Sequence, residues 1–216
     1  MKKLCLFDLD GTLIDPHTAI TTGFQYALRS VGIEVEDRNQ FNAYIGPPLQ
    51  DAFRAFHHFT DAEVDRLVGK YREYFTENGI YQNHLYPGII EMLNHLKAAD
   101  MTLTIATSKL KDFAERIAKH LDFDGYFDAI VGCELDGTRG RKREVIDYIL
   151  QAFDPDRQYA PVMIGDRKYD IIGAREMGID SIGITWGYGS REELEQENPT
   201  MIVDSVEELC QVLVSG

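Results

Sequence analysis

The chain has 216 residues, a formal net charge of −14 and a hydrophobic content of 44%. A chain of this size can bury a substantial core, as one large domain or as one domain that carries a smaller one. The strong negative charge argues against a nucleic-acid backbone or an anionic membrane surface as a partner. A small anionic substrate remains compatible with this charge if the site supplies positive charge locally.

The cysteines indicate a reducing compartment, because Cys5, Cys133 and Cys210 are odd in number, widely spaced and free of any CxxC pattern. We therefore expect neither a disulfide framework nor a zinc site. The basic start resembles the head of an export signal, but Asp8 ends the apolar stretch after four residues. No run approaches the length of a membrane span, so we expect a cytoplasmic protein.

The first predicted strand ends in a pair of carboxylates, Asp8 and Asp10, followed by Gly11. Residues i and i+2 of a strand share a face, and the glycine turn can re-aim the second carboxylate. Two like charges this close favour a nearby cation or proton. This arrangement suits one carboxylate that attacks and a neighbour that moves protons. Taken alone, a hydrated Asp-Gly turn is the alternative.

Residues 16–86 show helical periodicity and no convincing strand. A helix start is predicted at Asp15-Pro16 and a capping box at Thr60 and Glu63. We expect a small helical cap inserted after the first strand, lying over the carboxylate turn as a lid. Its many aromatic residues are interpreted as the core of this bundle, with a ligand-stacking surface as the alternative.

From about residue 88 onward, short apolar runs alternate with helical patterns. Strands are predicted at 101–106, 127–131, 161–164, 182–185 and 201–203. Helices are predicted at 111–121, 144–153 and 206–214, and a further helix follows the strand at 161–164 and ends at about Met177, before Gly178. This alternation predicts an α/β fold with a Rossmann-like, mostly parallel sheet covered by helices on both faces. The expected division is a catalytic core of residues 1–15 and 87–216 and a helical cap of residues 16–86.

Ligands bind at the carboxyl ends of strands in such a sheet. The polar residues predicted at these ends and at one helix entry are Asp8, Asp10, Thr107, Ser108, Lys142, Asp166 and Asp170. Each has an ordinary alternative: the hydroxyl pair or the later acids can cap helices, and a basic run is usually a solvated loop. We interpret the joint pattern as one site. Carboxylate oxygens suit Mg²⁺ better than Zn²⁺, and the hydroxyls and lysine suit the oxygens of a phosphoryl group.

Four motifs carry a family resemblance: FDLDGT at residues 7–12, IATSK at 105–109, Lys142, and IGDRKYD at 164–170. In this order and spacing they resemble the haloacid dehalogenase-like hydrolase superfamily, and the likeness covers essentially the whole chain. The helical insert is similar to the α-helical cap of the phosphoglycolate phosphatase-like group.

The resemblance implies that Asp8 is the nucleophile and forms an aspartyl-phosphate. It implies that Asp10 protonates the leaving oxygen and then activates water. In dehalogenase members this second position is not an acid, so Asp10 favours phosphate chemistry. The implied ligands of Mg²⁺ are Asp8, Asp10 through its backbone carbonyl, Asp166, and Asp170 directly or through water.

The resemblance also implies that Thr107 binds the phosphoryl group, with the Ser108 backbone nearby, and that Lys142 offsets negative charge. Lys142 is followed by Arg143 where the family commonly has proline. Arg141 and Arg143 are therefore alternatives for the inward cation, and we expect Lys142.

The predicted function is a Mg²⁺-dependent phosphatase acting on a small phosphomonoester, 5′-nucleotidase-like or phosphoglycolate phosphatase-like. A phosphomutase on the same scaffold and a receiver-like module that only accepts a phosphoryl group are the alternatives. Gly46-Pro47-Pro48-Leu49 is interpreted either as a loop facing the site or as an ordinary turn. Three cap cations offer a place for a second anionic group, with solvated surface positions as the alternative: Arg54, Lys70 and Arg72.

Overall fold

The structure, a computed structural model, describes residues 2–215. Its strands in chain order are β1 (Lys2–Phe7), β2 (Ile14–Asp15), β3 (His84–Leu85), β4 (Thr102–Leu110), β5 (Ala129–Cys133), β6 (Tyr159–Gly165), β7 (Asp180–Ile184) and β8 (Met201–Val203). Its α-helices are α1 (His17–Arg29), α2 (Leu49–Phe56), α3 (Asp61–Glu77), α4 (Ile89–Ala98), α5 (Lys111–His120), α6 (Lys142–Phe153), α7 (Lys168–Met177), α8 (Arg191–Gln196) and α9 (Val206–Ser215). Short 3₁₀ segments lie at Arg38–Tyr44, Gly79–Tyr81 and Asp124–Tyr126.

Six strands form a parallel sheet in the order β5-β4-β1-β6-β7-β8. The predicted α/β fold is therefore confirmed. Strand β1 is central, and Phe7 at its end lies opposite Ile105 of β4 and Ile164 of β6. Because these three residues are level, the segments that follow all three strands emerge side by side at one edge of the sheet.

The sheet separates two hydrophobic clusters, since successive side chains of a strand point to opposite faces. Leu4 and Leu6 of β1 pack in a cluster with Ile146 of α6. Cys5 and Phe7 belong to the larger cluster on the other face. All four β1 side chains are fully buried, which explains the continuous apolar run that predicted this strand.

The helices α1 to α3 are inserted between β2 and β3, which pair antiparallel through Ile14 with Leu85 and Asp15 with His84. The expectation of no strand in residues 16–86 is wrong at this two-residue ladder, which is too short to show alternation. Helix α2 was not singled out from the sequence, although Leu49, Ala52, Phe53 and Phe56 follow helical spacing, whereas the capping box before α3 is confirmed. We propose that residues 16–86 form the cap, on the core of residues 1–15 and 87–216.

Two other boundaries differ from the sequence prediction in ways that shape the site. Strand β4 continues through Thr107 to Leu110, with an irregular register after Ala106. Helix α6 begins at Lys142, two residues earlier than predicted. The predicted stop of α7 at Gly178 is confirmed, because this glycine adopts the left-handed conformation there.

None of the helices in residues 2–215 is both long enough and apolar enough to cross a membrane.

Candidate active site

Asp8 is the first residue after β1, and the sheet itself holds it in place. Its backbone N–H donates to the carbonyl of Ile164 at 2.8 Å, which extends the pairing between β1 and β6 by one residue. Its Oδ1 accepts from the N–H of Leu9 at 2.7 Å. The side chain is buried, so this carboxylate has a fixed direction at the strand edge.

Lys142 begins α6 and joins three segments of the site. Its Nζ lies 2.8 Å from Oδ1 of Asp8 and 2.9 Å from Oδ1 of Asp170, and it donates to the carbonyl of Ala106 at 2.7 Å. Burial alone would lower the pKa of Lys142, but Asp170 and Asp8 outweigh it and hold this pKa above its usual value. Its neighbours Arg141 and Arg143 are exposed, so Lys142 is the inward cation of this run.

Asp166 and Asp170 approach Asp8, and the three carboxylates offer oxygens that all lie within 4.8 Å of one another. Burial raises the pKa of Asp166 well above its usual range and that of Asp170 to about 6. Oδ2 of Asp166 accepts from the N–H of Tyr188 at 2.8 Å, while its buried Oδ1 has no hydrogen-bond partner in residues 2–215. A convergent oxygen-only set with an unused buried oxygen fits a hard divalent cation such as Mg²⁺.

The helix-capping alternatives fail for Asp166 and for the hydroxyls, whereas Asp170 does lie in the first turn of α7 and takes part in its capping box. Arg167, not Asp166, is the N-cap residue of α7, and Asp170 accepts from the backbone N–H of Arg167 at 3.1 Å. Helix α5 starts after Leu110, with no capping side chain. Thr107 instead accepts from the N–H of Lys109 at 3.2 Å.

Gly11 explains why the turn after Asp10 can lie so close to the cluster of carboxylates formed by Asp8, Asp166 and Asp170. This glycine has a φ of +81°, and a Cβ built there would overlap the carboxylate of Asp166. A side chain at this position would therefore be strained and would also displace an acid of the cluster. The Asp-Gly pair is thus a close approach between the first and last motifs, not a solvated turn.

Asp10 does not join the cluster through its side chain, because Lys109 holds it elsewhere. The Nζ of Lys109 lies 2.8 Å from Oδ1 and 2.6 Å from Oδ2 of Asp10. Burial raises the pKa of Asp10, and Lys109 opposes this shift. The same ammonium lies 4.7 Å from the ring centroid of Phe75 in the cap. Sequence reasoning did not select Lys109, although its place directly after the Thr107-Ser108 pair was a usable signal.

A cavity of about 100 Å³ lies between the strand edge and the cap. Its core side is lined by Asp8, Asp10, Thr107, Ser108 and Lys109. Its cap side is lined by the Gly46-Pro47-Pro48-Leu49 segment and by Phe24, Tyr44, Tyr71 and Phe75. Phe24 also packs on Phe53 with ring centroids 4.6 Å apart, so the aromatic bundle core and the cavity wall are the same residues.

Arg167 links the cap loop to the cluster of acids and was not predicted. Its guanidinium donates to the carbonyl of Ile45, directly before the lining loop, and its Nε lies 2.9 Å from Glu193. Gly46 has a φ of +107°, and a Cβ there would lie 2.8 Å from Cγ of Arg167. The cap loop therefore rests on the residue next to Asp166.

A family model described as haloacid dehalogenase-like hydrolase matches residues 5–184. The chain belongs to this family. It is 42% identical to a 5′-nucleotidase of Pseudomonas aeruginosa, over 97% of this chain and 95% of that protein. It is 33% identical to tyrosine-protein kinase PtkA of Mycobacterium tuberculosis, over 98% of this chain and 72% of that protein. The crystal structure of a predicted phosphatase from Clostridium acetobutylicum has a TM-score of 0.94 and 39% identity, with 100% of both chains covered.

Membership in the haloacid dehalogenase-like hydrolases confirms the resemblance inferred from the four motifs. Together with the phosphatases among its relatives, it also confirms the expectation of a phosphoric monoester hydrolase.

Proposed function

We propose that this protein is a Mg²⁺-dependent phosphatase that hydrolyses a small phosphomonoester through an aspartyl-phosphate on Asp8. The observation that carries the proposal is the convergence of Asp8, Asp166 and Asp170 with the buried ammonium of Lys142. Phosphoryl transfer requires a positioned nucleophile and neutralised oxygens, and this arrangement supplies both. Substrates of the 5′-nucleotidase and phosphoglycolate phosphatase type are the proposed classes, and the cytoplasm is the proposed compartment.

In the first half-reaction, a carboxylate oxygen of Asp8 attacks phosphorus, and the bond to the leaving oxygen breaks. Asp10 donates a proton to that oxygen, so that a neutral alcohol leaves. Thr107 binds an oxygen of the phosphoryl group, with the Ser108 backbone nearby. Lys142 keeps the attacking carboxylate in place and offsets the charge that gathers at the strand edge.

In the second half-reaction, Asp10 takes a proton from water, and this water attacks the phosphorus of the aspartyl-phosphate. The acyl-phosphate bond breaks, inorganic phosphate leaves, and the Asp8 carboxylate is regenerated. Lys109 orients Asp10 in both steps through its contacts with both carboxylate oxygens. The cap covers the cavity and limits the access of other water molecules.

We propose that Asp8, Asp166 and Asp170, with the backbone carbonyl of Asp10, hold the Mg²⁺ ion. When bound, the ion would neutralise phosphoryl oxygens and orient the phosphate toward Asp8. Buried carboxylates repel one another, and a bound cation reduces this repulsion, so metal binding should also stabilise the fold. At 100 times its dissociation constant, a ligand adds about 2.7 kcal/mol to the free energy of unfolding.

The decisive experiment measures phosphate release from nucleoside monophosphates, phosphoglycolate and sugar phosphates, with Mg²⁺ and with a chelator. We expect turnover of at least one substrate with Mg²⁺ and loss of turnover with the chelator. Asp10→Asn should slow breakdown of the phosphoenzyme, so that rapid acid quenching and mass spectrometry detect a phosphorylated Asp8 peptide. Turnover that persists in chelator, or a phosphoryl group found on another residue, would contradict the proposal.

Thermal unfolding gives a test of the metal site that does not depend on activity. Mg²⁺ should raise the melting temperature of the wild-type protein and have little effect on Asp166→Asn. An equal rise in both proteins would place the ion elsewhere.

A further inference from the structure

Two of the four cationic side chains of α2 and α3 are already paired with carboxylates: Arg54, which is exposed, and Lys70, which is partly exposed. Arg54 lies 3.3 Å from Asp51 and 3.1 Å from Asp61. Lys70 lies 2.7 Å from Glu73 on the same helix. Neither Arg54 nor Lys70 lines the cavity, so both match the surface alternative.

Arg72 differs from them in position and in partners. It lines the cavity next to Tyr71 and is only partly exposed. No carboxylate in residues 2–215 lies within 4.0 Å of its guanidinium. Its Nε has almost no accessible surface and no hydrogen-bond partner in this part of the chain. A partly buried guanidinium without acceptors is unfavourable, unless a ligand supplies them.

Arg72 brings positive charge from the cap into the cavity whose core side holds Asp8 and Thr107. Cys133, at the end of β5, also lines the cavity. Burial raises the pKa of the Cys133 thiol, and the nearby charge of Arg72 opposes that shift. Arg72 thus extends from the cap toward the core, between the two surfaces that a bound substrate would contact.

The other cations of the site are already neutralised by its acids. Lys109 pairs with Asp10, and Lys142 with Asp8 and Asp170. Among the described residues that line the cavity, Arg72 is the cation that no acid of the protein neutralises. An unpaired cation on the cap side of this cavity is suited to a part of the substrate other than the transferred phosphoryl group.

We propose that Arg72 binds a second anionic group, a carboxylate or a second phosphate, at the end of the substrate opposite the transferred phosphoryl group. A guanidinium forms paired, charge-assisted hydrogen bonds with either group. This inference rests on the proposed phosphatase function and specifies its substrate class.

The test uses two substrates that differ only at the far end. Phosphoglycolate ends in a carboxylate, and 2-hydroxyethyl phosphate ends in a neutral hydroxyl. We expect Arg72→Met to lower kcat/KM for phosphoglycolate about tenfold or more, mainly through KM, which corresponds to about 1.4 kcal/mol. For 2-hydroxyethyl phosphate, kcat/KM should change less than about twofold. Pyrophosphate as a third substrate shows whether a second phosphate is accepted in place of the carboxylate.

Two further variants make the test specific. Lys70→Met removes a cation of the same helix that is paired with Glu73 and does not line the cavity, and it should leave both substrates unaffected. Arg72→Lys keeps the charge but not the planar pair of donors, and should give an intermediate loss for phosphoglycolate alone. This variant also serves as the test if Arg72→Met does not fold, as judged by circular dichroism.

The outcomes separate this inference from the proposed function. Equal losses for both substrates would mean that Arg72 serves the transferred phosphoryl group or the fold, and would overturn the inference. It would also be overturned if nucleoside monophosphates were the preferred substrates and Arg72→Met left that preference unchanged, although the phosphatase proposal would stand. Absence of phosphate release from every substrate in the presence of Mg²⁺ would instead defeat the phosphatase proposal.

Discussion

The two sides of the cavity differ in chemical character: the core side is charged and the cap side is mainly aromatic. The core side gathers carboxylates at the ends of adjacent parallel strands, together with the ammonium groups of Lys109 on β4 and Lys142 at the start of α6. The cap side is an aromatic bundle, and among the described residues Arg72 is the cap cation that lines the cavity. In the proposed mechanism, the sheet therefore fixes the groups that react, whereas Arg72, the residue proposed to select the substrate, lies on a helix of the cap.

Removal of the proposed nucleophile should have the largest effect, because it should stop the reaction on the core side while substrate binding by the cap remains. We expect Asp8→Asn to lower turnover by about a thousandfold or more, because the amide cannot form the phosphoenzyme. The cap is untouched, so substrate should still bind. Turnover assays and isothermal titration with a slow substrate measure the two effects. Retained turnover in a folded Asp8→Asn protein would remove Asp8 from its assigned role.

Lys142→Met should damage both activity and stability. It leaves Asp8 and Asp170 buried without their counter-ion, and loss of one partner of a buried ion pair costs about 3 kcal/mol or more. Urea unfolding in chelator measures the loss of stability, and phosphate release measures activity. Arg143→Met is the matched control on the exposed side of the same helix start and should be close to wild type. Similar losses in both variants would contradict the role of Lys142.

Lys109→Met should reduce turnover about tenfold, because Asp10 loses the contacts that orient it for proton transfer. The variant should also be less stable, since it leaves a buried carboxylate unpaired. Adding Asp10→Asn to Lys109→Met should recover part of that stability, and a double-mutant cycle by urea unfolding measures this coupling. Strict additivity would mean that the two residues do not interact.

Arg167→Met should have the smallest effect on chemistry and a clear effect on the cap. It removes the support under Ile45, so we expect KM to rise several-fold with a smaller change in kcat. Arg175→Met removes an exposed ion pair with Glu197 and should change the free energy of unfolding by less than about 1 kcal/mol. If both variants leave KM unchanged, the link through Arg167 does not position the loop.

The core was more predictable from sequence than the contacts between core and cap. Buried parallel strands produce continuous apolar runs, and the acids follow these runs directly, so β1, β6 and their strand-end residues were readable. Level pairing of Phe7 with Ile105 and Ile164 then brings the motifs together. The geometry of the parallel sheet, which sequence patterns do predict, thus accounts for most of the convergence of the motifs.

The missed features depend on contacts between segments far apart in the chain. Lys109 lies 99 residues from Asp10, and Arg167 lies 122 residues from Ile45. No local spacing encodes such pairs. The two-residue strands β2 and β3 are similarly invisible, because each is defined only by its partner. Arg72 was considered together with Arg54 and Lys70, and only the direction of its side chain separates it from them.

The ladder between β2 and β3 has one further consequence. The polypeptide enters and leaves the cap through neighbouring backbones, which in an antiparallel pair lie roughly 5 Å apart. A single short turn could close that gap, so excising everything between the two strands would leave the sheet's own connections intact. The cap is in this sense a replaceable insert. Exchanging it for the cap of another family member should change substrate specificity and leave the carboxylates of the core in place.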